Sequence, residues 1–333
     1  MYNIVKNENI DKQVWDRLLN ESPTASWFQS YNCYQFYKKL DFLKPFAIAV
    51  TDKDKILALV CGYVIADGGF VKRFMSRRAI VPGGVMIEST ADKSVVNLLL
   101  KELKKHISNK AIYTEIRNFN DYTDFKDIFE ETDFSYQPHL NFHLDISDHD
   151  IAFKNLKQNK RRYVRLSTKE GAVWQLTTDK NEIEELYEIL KDLYRTKVKT
   201  PLFPISFFYT LSAETDARII VVKYKEKVVG GGVFVVLKNK CIYEWFVCGE
   251  DRKYKNVYPS ILSTWGGIEY AANNNISLFD FMGAGKPNVE YGVRDFKAEF
   301  GGELVEHGRF LRVNHKLKYS IGKKAIAFIK GRK

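Results

Sequence analysis

The sequence predicts an α/β protein with mixed sheets, arranged as two domains of the same kind. Three observations carry that reading. Strand, charged turn and strand recur at a constant offset of 172 residues, with Lys53 matching Lys225, Lys55 matching Lys227 and Ile65 matching Leu237. Each copy then continues as a further strand, a helix and another strand, a pattern of α/β layers. At 333 residues the chain is long enough for two separately buried cores.

In chain order, the first hairpin runs from Phe46 to Ile65 and the second from Arg218 to Leu237. After the first come an expected strand at Gly84 to Ile87, a helix at Ser94 to His106 and a strand at Ala111 to Ile116. After the second come Cys241 to Cys248, Ser260 to Asn273 and Ser277 to Phe281. Val95, Leu98, Leu99 and Leu103 recur at helical spacing, with Lys101, Lys104 and Lys105 opposite. Pro259 sits at a plausible helix start, and Asn273-Asn274-Asn275 ends the pattern. The polar break Ile146 to Asp150 follows an alternating strand, Leu140 to Leu144. It sets the expected domains at 1–148 and 149–313, with a tail helix at 314–333.

Composition excludes several classes. Hydrophobic residues at 45% and aromatics at 14% suit a packed chain and not a disordered one. No apolar run approaches the ~20 residues that span a bilayer. The N-terminal Met1 to Glu8 lacks a basic region followed by an apolar core, so a cytoplasmic protein is expected. Cys33, Cys61, Cys241 and Cys248 show neither metal-type pairing nor a disulfide framework. His139 and His143 lie on an alternating strand, ~13 Å apart, so no metal site is expected. No nucleophile-elbow signature appears. The net charge of +11 favours polyanionic partners.

The stretch from Ile276 to Gly302 is the most informative. A short buried strand, Ser277 to Phe281, enters a turn containing Gly283 and Gly285, where glycines permit sharp bends or close approach. A polar loop leads to Tyr291-Gly292 and then to Phe296-Lys297-Ala298-Glu299-Phe300-Gly301. A lone lysine between phenylalanines places a cation against an apolar wall, where its field is weakly screened. The order Asp280-Phe281-Met282-Gly283, loop, Tyr-Gly, Phe-Lys-x-x-Phe-Gly resembles the C-terminal signature of FemABX-type transferases. The resemblance implies two tandem GNAT-like acyltransferase domains, the topology already reached from the repeat. It further implies a catalytic role for Lys297 and a substrate contact for Phe296.

Other segments resemble the same family. Trp27 to Lys38 is similar to its early FxQSxxWxxxxK element, with Cys33 where Trp is usual. This implies substrate contacts at Gln29, Ser30, Tyr37 and Lys38, although Ser30 as an N-cap with inward aromatics explains the segment structurally. Phe153 to Lys169 carries seven basic residues and no acid, which suggests phosphate attraction rather than a mixed solvated face. The family's basic helix opens the second domain here, and Arg162 is the implied contact. The helix end Leu193 to Pro201 places Thr196, Lys197 and Lys199 where relatives present a Thr and an Arg to a pyrophosphate. Replacing Arg by Lys loses bidentate geometry, and cations at a helix C-terminus also answer its dipole.

Acetyl-CoA enzymes of the GNAT fold usually carry a glycine-rich loop whose amides cradle pyrophosphate. Glu250 to Pro259 has no glycine, and Pro259 removes one donor. No cofactor is therefore expected. The implied reaction transfers an aminoacyl group from aminoacyl-tRNA to an amine of a nucleotide- or lipid-linked peptidoglycan precursor. Two rivals stand beside it: an N-acyltransferase using acyl-CoA or acyl carrier protein on a surface-polysaccharide amino sugar, and a non-catalytic binder of phosphorylated glycans or RNA. Lys316 to Lys333 has seven basic residues, with Leu317, Ile321, Phe328 and Ile329 roughly on one helical face. It reads as a peripheral contact with an anionic membrane or as a helix packed on the body.

Overall fold

The computed structural model describes residues 2–68 and 76–331. The chain forms two compact units: residues up to Pro138 together with those from His307 onward, and His139–Glu306.

In the first unit the strand order is β1 (Asn3–Lys6), β2 (Leu43–Asp52), β3 (Lys55–Ile65), β4 (Arg78–Pro82), β6 (Tyr113–Arg117), β15 (Arg309–Val313) and β7 (Ser135–Gln137), while β5 (Met86–Ile87) also pairs with β3. In the second the order is β9 (Val173–Leu176), β10 (Ala217–Tyr224), β11 (Lys227–Leu237), β12 (Cys241–Gly249), β13 (Leu278–Asp280), β8 (Leu140–Asp145) and β14 (Glu303–Glu306). Position by position the two sheets correspond. In each, one pair is parallel, β4 with β6 and β12 with β13, and it is bridged by a central helix, Lys93–Ile107 or Pro259–Asn273. The repeat extends to irregularities. The β2–β3 register slips between Val50 and Thr51, and the β10–β11 register slips 172 residues later, between Val222 and Lys223. Both hairpin turns use a left-handed lysine, Lys53 and Lys225, each at φ 49°.

Two expectations are corrected. The strand equivalent to β12 is β4, not Gly84 to Ile87, of which only Met86–Ile87 pairs, as a short ladder on β3. The domain limits also differ from 148/149 and 313/314. β8 follows β7 in sequence yet pairs with β13 and β14, and β15 follows β14 yet pairs with β6 and β7. The sixth strand of each sheet thus lies outside the expected limits of its domain. Alternation identifies such a strand, but pairing between distant segments decides which sheet takes it.

Packing explains the helices. Val95, Val96, Leu99, Leu100, Leu103 and Ile107 are buried along the first central helix, against Ile48, Val50 and Val60. In the second unit, a Cβ on Gly267 would lie 2.4 Å from the Phe234 ring, so only glycine lets that helix approach β11 so closely. The basic run forms two helices, His149–Asn155 and Gln158–Lys169, broken at Leu156 and Lys157. The tail is the helix Lys316–Gly331, with Leu317 and Ile321 exposed. Phe328 and Ile329 lie outside the described side chains.

Candidate functional site

The ladder between β12 and β13 ends at the pair Tyr243 and Asp280, while β12 continues to Gly249. The two parallel strands therefore lose their mutual hydrogen bonds at this point. On its other side β12 is bulged: Val233 pairs with Phe246 and Phe234 with Glu244, leaving Trp245 unmatched. Bulges re-aim side chains and gather beside active sites.

β8 shapes the backbone leaving β13. The Phe281 amide donates to the Phe142 carbonyl, the Ala284 amide to the Leu140 carbonyl (2.6 Å), and the Leu140 amide to the Gly285 carbonyl. Met282 is held at φ 56° and Gly283 at φ 117°. The buried Asp280 carboxylate accepts from Asn141 Nδ2 at 2.7 Å and from the Met282 amide at 2.6 Å, and its other oxygen lies 3.2 Å from His143 Nε2. Asn141 Oδ1 accepts from the Gly283 amide at 2.6 Å. A left-handed methionine persists only where surrounding bonds over-determine it, and these bonds do so.

Lys297, on the helix Gly292–Ala298, reaches this turn. It is 7% exposed, and its ammonium donates to the Phe281 carbonyl at 2.5 Å and the Gly283 carbonyl at 2.9 Å. Burial lowers its pKa, opposed by the charges of Glu244 and Asp280. Glu244 is 3% exposed, and neither carboxylate oxygen has a hydrogen-bond partner, nor does the neighbouring Thr264 hydroxyl. Burial raises the Glu244 pKa to about 7, against the pull of Lys297 and Thr264. Phe296 flanks a second buried cation. Lys160, 4% exposed, lies 4.2 Å from the Phe296 ring and 5.2 Å from that of Phe300, and its ammonium is 3.0 Å from Glu299.

Of the five buried charged side chains among the described residues, Glu88 lies in the first unit, and Lys160, Glu244, Asp280 and Lys297 lie in the second. Buried charge is costly unless paired and hydrogen-bonded, and such groups cluster at functional sites, so the chemistry is sought in the second unit. Glu244 was not singled out from the sequence. A lone acid in the apolar run Cys241 to Cys248 was the signal available.

The remaining expected contacts divide. Arg162 is exposed on the helix Gln158–Lys169. Thr196, Lys197 and Lys199 are exposed in and just after the turn Tyr194–Val198, whose first ring lies 6.2 Å from that of Phe246, beside the bulge. The Thr196 hydroxyl donates to the Asp192 carbonyl at 2.7 Å, so its proton is already committed.

In the first unit the polar pair is turned inward. Gln29 is fully buried, donates to the Cys61 and Pro82 carbonyls and accepts from the Cys61 amide. Its amide ties β3 to the end of β4. Ser30 is buried and caps the helix Tyr31–Lys38 through the Cys33 amide. Tyr37 is fully buried. All three side chains are enclosed in this conformation and hold the scaffold together. Lys38 is partly exposed and paired with Glu8 at 2.9 Å.

Both central helices begin against their own anions. Asp251 accepts from the Ser260 amide at 3.0 Å and from its hydroxyl, and Asp92 accepts from the Ser94 and Val95 amides. Carboxylates thus occupy amides that would otherwise be offered to a phosphate. No group of metal-binding side chains occurs among the described residues, and none of their helices is long and apolar enough to cross a membrane.

A family model, that of the FemAB family, matches residues 210–326. The crystal structure of FemX is similar over 95% of this chain and 99% of its own, at 15% identity and a TM-score of 0.73. The structure of L-PGS from Bacillus licheniformis is similar over 91% and 92%, at 13% identity and a TM-score of 0.55. A tandem GNAT protein from the clavulanic acid biosynthesis pathway is similar over 94% and 99%, at 8% identity and a TM-score of 0.57. At these identities the likeness is one of fold. No curated protein matches in sequence. The resemblance to the FemABX type is borne out over residues 210–326, and the expected pair of GNAT-like domains is borne out as a fold.

Proposed function

We propose that this FemABX-type chain moves an aminoacyl group from aminoacyl-tRNA to an amine of a peptidoglycan precursor, without a cofactor. The observation that carries the reading is Lys297. It lies within the stretch matched by the FemAB family, and its ammonium is fixed where β12 and β13 part. In the reaction, the amine nitrogen forms a bond to the ester carbonyl carbon while the bond to the ribose oxygen breaks. The proton lost by nitrogen goes to that oxygen. An ammonium has three donors. Two of Lys297's are held by the Phe281 and Gly283 carbonyls, so the third has a set direction and is offered to the oxyanion that develops on the ester. Such a preorganised donor is typically worth ~2.7–4 kcal/mol of barrier.

Arg162, Lys197 and Lys199 are proposed to meet precursor or tRNA phosphates, in keeping with the net charge of +11. The capped helix starts favour tRNA over CoA as donor. The tail helix, with exposed Leu317 and Ile321 beside Lys316, Lys318, Lys323 and Lys324, suits a peripheral contact with anionic lipid at the inner membrane face. The test is radiolabelled transfer from a mixed aminoacyl-tRNA pool to purified nucleotide-linked and lipid-linked precursors, with ribonuclease-treated and acyl-CoA arms. Label should enter a precursor only with intact tRNA. Transfer from acyl-CoA in the absence of tRNA would overturn the donor assignment.

A further inference from the structure

We propose that Glu244 is a positioning residue: its carboxylate is the counter-charge that keeps the desolvated Lys297 side chain in its ammonium form. This deepens the reading above and rests on it only where turnover is concerned. β13 brings Asp280, and the helix Gly292–Ala298 brings Lys297. The central helix brings the unpartnered Thr264 hydroxyl, and β11 brings only the apolar Phe234. Behind Asp280, β8 supplies Asn141 and His143. Among the described residues, Glu244 is thus acted on by one cation, Lys297, one anion, Asp280, and the Thr264 hydroxyl.

Asp280 and Glu244 differ in one respect. The Asp280 carboxylate is engaged by Asn141, His143 and the Met282 amide, so its charge is shared among several donors. Both Glu244 oxygens lack hydrogen bonds. In native interiors nearly all buried polar atoms are bonded, and an exception calls for a specific explanation. With the Thr264 hydroxyl beside it but outside hydrogen-bond geometry, the carboxylate directs its field at Lys297, the cation that acts on it among the described residues, and the interaction holds in both directions. A desolvated lysine without such a partner shifts toward the neutral amine, which has no charge to offer an oxyanion.

The experiment follows the Lys297 side chain itself. The full chain is labelled with 13C-lysine, and the buried Cε resonance is assigned by its loss in Lys297→Met. It is then titrated in wild type, Glu244→Gln and Glu244→Asp. The Lys297 midpoint should fall by about one pH unit or more in Glu244→Gln and stay near wild type in Glu244→Asp, which keeps the charge. The alkaline limb of the kcat profile should move with it, with KM little changed. An unshifted midpoint in Glu244→Gln overturns the proposal. Should the glutamine variant not fold, a midpoint in Glu244→Asp lowered as far as removal of the charge predicts would do the same. A shifted midpoint in a chain with no transfer from any aminoacyl-tRNA upholds the pair and removes the reading of function instead.

Discussion

Glu244→Gln should change how stability depends on pH, and both the sign and the size follow from burial. Burial raises the carboxyl from its ordinary 4.5 to about 7. Between those values the unfolded chain has released the proton while the folded chain retains it. The folded state therefore binds more protons, and stability falls as pH rises through this window. At ~1.36 kcal/mol per tenfold change in proton affinity, the full fall is about 3 kcal/mol, complete just above pH 7. Glutamine cannot ionise and should show no such fall.

Another group opposes this slope in wild type. Burial and the nearby Lys110 lower the pKa of His106, in the first unit, to about 4, so its contribution rises with pH over a similar range. The quantity to read is therefore the difference between variant and wild type. Urea denaturation at pH 4.5, 5.5, 6.5 and 7.5, followed by tryptophan fluorescence, should show Glu244→Gln gaining on wild type by about 3 kcal/mol across the series. A difference that stays constant with pH would mean that burial does not raise the Glu244 pKa in the folded chain.

Lys297→Met keeps the side chain's bulk and removes its charge; transfer should drop by at least ~100-fold while circular dichroism stays native, and near-normal turnover would return Lys297 to a packing role. Gly283→Ala should destabilise the second unit by ~1–3 kcal/mol in a thermal melt, because φ 117° is closed to alanine. The added methyl itself meets the His139 ring, 3.5 Å away at its nearest atom, so the cost is one of backbone and not of collision. Lys199→Ala should weaken binding of the nucleotide-linked precursor and flatten its salt dependence in a titration; wild-type affinity at low salt would remove Lys199 from the site.

Much of this architecture was legible because local and global signals agree at the same positions. The 172-residue repeat carries turn, hairpin and bulge together, since a left-handed lysine and a slipped register depend on only a few neighbouring residues. The exchange of β8 and β15 was not legible. Leu140, Phe142 and Leu144 announce a half-buried strand, yet nothing within it says that its hydrogen bonds go to β13 and β14. Gln29 shows a related ambiguity: an amide that suits a ligand equally suits the Cys61 backbone, and burial decides only for the latter in this conformation.

The buried charges are the more instructive case. Lys297 was found because it stands in a recognisable string, whereas Glu244, its electrostatic partner, was passed over inside an apolar strand. Both are single ionisable residues among aromatics, and burying such a group without a bonded partner costs several kcal/mol. Lys297 offsets part of that cost through two carbonyls and Glu244 does not, so the cost argues for function at Glu244 with the greater force. A charge standing alone in an apolar strand is worth weighing as a site residue even where no family signature surrounds it.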